Sequence, residues 1–310
     1  MTVNVKHIRD FVADVDSLPH APRIARKRIW GHGASDLLQV DTYSIAPDEE
    51  DPTHYHPQHV EMVICWRGKG KAMIAPRKAD DSGWELPYPS IDIKAGDTLV
   101  IPKGALHQYV ALDQAQPANK DTPQPVEKLV LLVVHTRGTE TKPGQTNWNA
   151  TQPLPDPSII LREISKYSYF DRDSNRRCVR SRIWGRDAQG PNGEADNAKP
   201  FLHLTAYCFV PNQVNPEHYH PHSLELMICL QGRATVTVRE LNSVNNGIDG
   251  GWQKKTEIKD VVLEEGDTVL VPEAALHQYV TFGNEDLILL ASQSPHPILH
   301  ILEDEAHVSD

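Results

Sequence analysis

The chain has 310 residues, 39% of them hydrophobic, and its 31 basic and 42 acidic residues leave a formal net charge of −11 with a sequence pI near 5.8. That length can bury one large core or two medium ones. An acidic balance with no basic cluster argues against nucleic acid and anionic membrane surfaces as partners, and no apolar run approaches the length of a membrane span.

Residues 1 to about 27 begin with Val3, Ile8, Phe11, Val12 and Val15 near helical spacing, which predicts a short amphipathic N-terminal arm. Arg28-Ile29-Trp30-Gly31 follows and returns as Arg182-Ile183-Trp184-Gly185. The strand predicted over Leu38–Ile45 returns over Leu202–Phe209. Strand alternation puts Gln39, Asp41 and Tyr43 on one face, with His203, Thr205 and Tyr207 as their counterparts, so both faces are candidates to line a pocket.

The next stretch is the one that carries chemistry. Thr53-His54-Tyr55-His56-Pro57 leads to Glu61, and Glu217-His218-Tyr219-His220-Pro221 leads to Glu225. In a strand, alternate side chains share a face, so the two histidines of each pair point together and the tyrosine between them points away. Further on, Gly96-Asp97-Thr98 leads through Pro102 to His107, and Gly266-Asp267-Thr268 leads through Pro272 to His277. Three imidazoles and one carboxylate suit iron, nickel, copper, zinc or manganese, unlike the all-oxygen shell that calcium prefers. A lone His-x-His pair would read as ordinary surface histidines; two matched sets of four read as two metal sites.

Between these motifs, Glu61–Cys65 and Glu225–Cys229 read as apolar strands. Cys65 shares a strand face with Glu61 but lies four residues on, about 13 Å away at strand spacing, too far to share an ion. Residues 76–92 and 240–260 read as polar excursions. Tyr109 and Tyr279 each follow a ligand histidine at the second position, so they should face the same interior and contact the ligands or a substrate. The proline-rich stretch 114–125 reads as a loop, Leu129–Val134 and Leu287–Leu290 as closing buried strands, and 138–157 as a linker between a first barrel unit of residues 1–137 and a second of 158–310. Many short strands with proline and glycine turns, written twice, predict an all-β chain of two tandem antiparallel jelly-roll barrels. Cys65, Cys178, Cys208 and Cys229 lack the spacing of a zinc or redox motif and read as reduced thiols of a cytoplasmic protein. Exposed sheet edges and an N-terminal arm favour a homo-oligomer.

These motifs resemble those of the cupin superfamily, and their duplication resembles a bicupin. His54, His56, Glu61 and Gly68 match its first motif, as do His218, His220, Glu225 and Gly232; Gly96, Pro102, Gly104 and His107 match its second, as do Gly266, Pro272 and His277. Where the first motif opens on glycine this chain has Asp48 and Asn212, residue types that enter left-handed backbone at low cost. Ala274 replaces the turn glycine of the second copy, and Ala111 and Thr281 replace the closing asparagine.

The resemblance implies a range of chemistries. Among bicupins, flavonol dioxygenases hold iron, copper or nickel by three histidines and a glutamate, and oxalate decarboxylases hold manganese by the same set. The leading expectation is a metal-dependent dioxygenase with one divalent transition metal per barrel, iron, nickel or copper ahead of manganese or zinc. It would act on a small hydroxylated or keto compound together with dioxygen, and Glu61 and Glu225 would serve as ligands and possible bases. A decarboxylase, isomerase or lyase of a small organic acid is the alternative; a decarboxylase would draw an acid from Glu49, Glu50, Asp51 or Glu217. A non-catalytic binding or sensor protein is the third.

Overall fold

Alternating apolar and polar residues between glycine and proline turns make strands the dominant element. The computed structural model describes residues 5–13, 15, 22–31, 38–57, 60–76, 78, 82–84, 90–112, 127–136, 142–143, 161–168, 178–184, 203–220, 223–243, 252–294, 301–302 and 308–309. In chain order the strands are β1 (Val5–His7), β2 (Ile24–Trp30), β3 (Leu38–Ile45), β4 (His54–Tyr55), β5 (Glu61–Arg67), β6 (Lys69–Ala75), β7 (Ser90–Lys94), β8 (Asp97–Ile101), β9 (Leu106–Ala111), β10 (Leu129–Thr136), β11 (Lys142–Pro143) and β12 (Leu161–Glu163). The second series is β13 (Cys178–Trp184), β14 (His203–Phe209), β15 (His218–Tyr219), β16 (Leu224–Gln231), β17 (Ala234–Ser243), β18 (Trp252–Leu263), β19 (Asp267–Val271), β20 (Ala275–Thr281), β21 (Leu287–Ser294), β22 (Ile301–Leu302) and β23 (Val308–Ser309).

The chain forms two units, each a jelly roll of two sheets. In one, the sheets run β12-β8-β5-β10-β3-β2 and β11-β4-β9-β6-β7; in the other, β1-β19-β16-β21-β14-β13 and β22-β15-β20-β17-β18-β23. Among the described residues pairing is antiparallel except for β18 with β23. Each unit closes over its own apolar core. Tyr43, Val63, Ile74, Leu99, Tyr109 and Leu131 belong to the first core, and Tyr207, Met227, Val236, Val269, Tyr279 and Leu289 to the second.

The N-terminal arm corrects one expectation. Among its described residues it is a strand followed by a 3₁₀ turn, Ile8–Phe11, in place of a helix. Val5 pairs with Val269 and His7 with Asp267 on β19, and the Thr268 hydroxyl donates to the Lys6 carbonyl at 2.9 Å. A sheet edge offers the backbone a ready ladder, which outweighs the weak preference of a short isolated helix. The arm's strand thereby belongs to the unit of the second repeat, while the described residues from Phe11 to Ile164 form the other unit. The segment before the second repeat does the same job for the first barrel: β12 pairs with β8, and the Ile164 amide donates to the Gly96 carbonyl as the Ile8 amide does to Gly266, both at 2.8 Å.

A second difference lies in residues 240–260. The polar stretch is largely a continuous hairpin, with Leu241 opposite Lys254 and Arg239 opposite Ile258, because the β17–β18 ladder satisfies the backbone whatever the side chains. The loop at 114–125 lies outside the described residues, as does most of 138–157; Lys142–Pro143 form a short strand against β4.

The unusual backbone positions fall where the repeat departs from glycine. Asp48 and Asn212 both have φ of 60°, which their short polar side chains tolerate. Gly68 and Gly232 are also left-handed, and a Cβ there would come within 2.5 Å of the Lys128 carbonyl oxygen and 2.6 Å of the Asp286 carbonyl oxygen. Ala274 sits at φ 55°. A methyl group in left-handed backbone costs about 1–2 kcal/mol, partly offset by the greater unfolded-state freedom of glycine. Ala274→Gly is therefore expected to stabilise the second barrel by about 0.5–1 kcal/mol, a rise of a few degrees in its calorimetric midpoint.

Candidate metal centres

The register of the strands builds each site. Strand β4 pairs with β9 so that His54 lies directly opposite His107, and β15 pairs with β20 so that His218 lies opposite His277. The imidazole centroids in each of these pairs are 4.2 Å apart. His56 and His220 follow just beyond their short strands, with ring centroids 5.1 and 5.2 Å from His54 and His218. Tyr55 turns the other way, onto Trp84 at 5.3 Å. Glu61 opens β5 and Glu225 follows the first residue of β16, placing both carboxylates against the histidines.

All eight side chains are buried, and in each group one donor atom per residue lies within 4.8 Å of the others. The second layer of hydrogen bonds fixes the tautomers. His54 Nδ1 meets the Pro52 carbonyl at 2.8 Å and His107 Nδ1 meets that of Ala105 at 3.1 Å. His218 and His277 repeat this with Pro216 and Ala275, at 2.8 and 2.9 Å. With Nδ1–H donating to a carbonyl, the Nε2 lone pair is left to point inward, which is how protein imidazoles are presented to a metal. His107 Nε2 is buried and makes no hydrogen bond among the described residues, and His277 Nε2 lies 2.8 Å from Glu225 Oε2. The donor chemistry, with both nitrogens turned toward the carboxylate, fits a divalent transition metal in each barrel.

The electrostatics agree. Burial alone would raise the Glu61 pKa, but His107, His56 and His135 hold it well below the usual carboxylate value. Glu225 is likewise held low against burial, by His220 and His277. Burial lowers His107, whereas His54 is raised because Asp51 and Glu61 outweigh its desolvation. Cys65 and Cys229 are core thiols pushed up to about 12 by burial, and each lies against the carbonyls of the following turn.

The two centres differ in what surrounds the carboxylate. Tyr109 donates its hydroxyl to Glu61 Oε1 at 2.6 Å, whereas the Tyr279 hydroxyl makes no hydrogen bond among the described residues. Next to Glu61 in register stands His135, with Nδ1 3.6 Å from Glu61 Oε2 and Nε2 4.0 Å from Asp41 Oδ2. Asp41 in turn is held by Arg26, by Arg28 at 2.6 Å and by Gln39 at 2.7 Å. The equivalent of His135 is Gln293, whose amide reaches Glu225 Oε1 at 2.9 Å and His220 Nε2 at 2.6 Å.

Sequence reasoning missed His135 and Gln293. The signal was present, because continuing the alternation of Leu131 and Val133 by one step reaches His135. A prediction follows from the asymmetry. Tyr109→Phe removes a hydrogen bond to a buried carboxylate and is expected to weaken metal binding in the first barrel about 10- to 100-fold. Tyr279→Phe should leave binding in the second barrel unchanged, as read by competition with a chelating dye.

Each of the two antiparallel jelly rolls brings three histidines and a glutamate together at one buried point. The protein has this two-barrel cupin fold, and its residues 202–302 match the family model described as Cupin. A relative named "Putative germin-like protein 2-1", from Oryza sativa subsp. japonica, is 27% identical over 93 residues, 30% of this chain and 38% of that protein. The match thus spans well under half of that relative. Among solved structures, the oxalate decarboxylase of Lactobacillus farciminis in complex with formate aligns over 97% of this chain and 88% of its own, at 17% identity and a TM-score of 0.60. The Bacillus subtilis oxalate decarboxylase, in a structure concerned with its Mn(II) centres, aligns over 87% and 72% at 14% identity and a TM-score of 0.55. At such identities the likeness speaks for the fold. Among the described residues no helix is long and apolar enough to cross a membrane.

Proposed function

We propose that the protein is a metal-dependent enzyme that oxygenates a small hydroxylated or keto organic compound, with His54, His56, Glu61 and His107 holding one ion and His218, His220, Glu225 and His277 the other. The observation that carries this reading is the pair of buried clusters, each of which brings three imidazoles and one carboxylate within 4.8 Å of one another. A bound ion of this ligand type supplies a Lewis acid and, if redox-active, a path for electrons to oxygen.

The chain's own residues do the rest. The carbonyls of Pro52, Ala105, Pro216 and Ala275 orient the imidazoles. The apolar cores around them exclude water, and Glu61 and Glu225, kept anionic, can accept a proton from a substrate hydroxyl. Tyr109 steadies Glu61, and Tyr279 presents a hydroxyl to a substrate.

Decarboxylation of a small organic acid is the second reading, favoured by the fold shared with the oxalate decarboxylases, one of which has Mn(II) centres. Against it, two of the acids such a reaction would draw on are already engaged. Glu49 pairs with Arg23 at 2.9 Å, and Asp51 lies 3.2 Å from His54 Nδ1. In the second barrel Asn215 and Thr205 stand where the first has Asp51 and Asp41. Iron, nickel and copper suit oxygenation, and manganese suits either reaction. The test is parallel measurement of oxygen uptake and carbon dioxide release on a panel of small phenols, hydroxy acids and keto acids. Uptake in proportion to product supports oxygenation; carbon dioxide release without uptake transfers the assignment to the second reading.

A further inference from the structure

Four matched positions beside the carboxylate ligand are occupied differently in the two barrels. In the first, Tyr109 donates to Glu61 Oε1 at 2.6 Å, and His135 stands between two acids, 3.6 Å from Glu61 Oε2 and 4.0 Å from Asp41 Oδ2. Gln39, Arg26 and Arg28 hold the far side of Asp41. The counterparts of Glu61, Tyr109, His135 and Asp41 are Glu225, Tyr279, Gln293 and Thr205. Strand register sets them alike: Gln293 lies opposite Glu225 as His135 lies opposite Glu61, and Thr205 lies opposite Ala291 as Asp41 lies opposite Val133.

In the second barrel this row is open. The Gln293 amide nitrogen donates to Glu225 Oε1 at 2.9 Å. A carboxylate only accepts, so that bond fixes the orientation of the amide and leaves Oε1 as the atom in need of a donor. Gln293 Oε1, the Tyr279 hydroxyl and Thr205 Oγ1 make no hydrogen bond among the described residues, and each of the three residues is no more than 1% exposed. Such groups are ordinarily matched by a ligand or ordered water, since leaving them unmet costs stability. All three adjoin the metal ligands. Thr205 and Gln293 share one inner sheet face as diagonal neighbours, about 7–8 Å apart at sheet spacing, and Gln293 already touches Glu225. Tyr279 comes from the facing sheet, with its ring 6.0 Å from His218 and 6.1 Å from His277.

The chemistry of these groups selects the ligand. Gln293 Oε1 accepts and cannot donate, so the group facing it must carry a hydrogen, whereas the Tyr279 and Thr205 hydroxyls can donate to an oxygen. A hydroxyl meets both demands; a carboxylate offers Gln293 nothing.

We propose that the second barrel alone binds the organic ligand, a neutral compound that presents a hydroxyl to Gln293 Oε1 and takes hydrogen bonds from Tyr279 and Thr205. In the first barrel the matched tyrosine and acid are spent on the protein's own side chains. The assignment rests on the reading of the protein as a metal-dependent enzyme of small hydroxylated compounds and narrows it to one barrel and to uncharged ligands.

The experiment is calorimetric titration of the full zinc-loaded chain with resorcinol, zinc being redox-inert so that no turnover intrudes. The expected result is one resorcinol per chain, with 1,3-dimethoxybenzene, which keeps the ring and both oxygens but has no hydroxyl hydrogen, bound at least tenfold more weakly. Tyr279→Phe and Thr205→Val should each weaken resorcinol at least fivefold. Thr205→Asp combined with Gln293→His, which copies the first barrel into the second, should abolish binding. Zinc content of two per chain in each variant shows that the ligand sets are intact; where the double variant does not fold, the two single ones decide. Two resorcinols per chain, equal affinity for the dimethyl ether, or affinity unmoved by both single substitutions would overturn the proposal, and no binding at all would overturn it by leaving the three groups to water. Oxygen uptake on a keto acid with no resorcinol binding would refute the hydroxyl seat and leave the enzymatic reading standing, whereas a chain that binds no zinc would remove that reading itself.

Discussion

Stripping the ions with a chelator at neutral pH is expected to lower the melting midpoint of each barrel by roughly 5–10 °C. Saturation at 100 times the dissociation constant contributes about 2.7 kcal/mol per site, and in a domain of this size each kcal/mol is worth about 2–4 °C. The stripped sites keep a carboxylate and three imidazoles at close range, with His56 2.8 Å from Glu61 and His277 2.8 Å from Glu225. Their residual stability depends on charge. Glu61 has a folded pKa below its ordinary 4.5, so its contribution is present above that value and is lost as pH falls through the lower folded one. His54 is shifted up from 6.5, so its contribution to the stripped chain is complete below that value and is lost as pH rises through the folded one. Metal binding runs the other way, because an imidazole must shed its proton to ligate. The gap between loaded and stripped midpoints should therefore narrow as pH is lowered from about 8 to about 6, measured by differential scanning calorimetry in matched buffers. A gap that widened on acidification would count against ligation by these histidines.

Asp41→Ala is expected to cost the first barrel about 2–4 kcal/mol. Removing one partner of a buried ion pair leaves the other charges uncompensated, typically by about 3–5 kcal/mol. Here the figure is discounted because the Arg26 and Arg28 side chains are each 34% exposed and can turn toward water. The matched change Thr205→Ala removes only an unpaired hydroxyl and should cost under about 1 kcal/mol. Denaturant unfolding of the two variants gives the comparison directly. Equal losses would mean that the Asp41 cluster does not hold its barrel together.

The ligand sets were legible because a metal site needs particular residue types at particular spacings, and the chain writes them twice. The left-handed turns at Asp48 and Asn212 were legible for a related reason, since few side chains accept that backbone and these two do. The N-terminal arm was not: Val5–His7 becomes a strand only because β19 offers an edge, and no local pattern names that partner. His135 and Gln293 escaped for the same reason, as each gains its role from lying opposite Glu61 or Glu225 across a sheet. The difference between Asp41 and Thr205 was visible as two letters, but its meaning waited on the arginines that the fold places beside Asp41.

The claim that organises this account is that each barrel holds one ion by three histidines and a glutamate. Elemental analysis of metal per chain in freshly purified protein, alongside His107→Ala and His277→Ala, tests it most directly. The account predicts close to two transition-metal ions per chain, falling to one in either variant. Negligible metal that reconstitution does not restore, or a content that neither substitution changes, would contradict it.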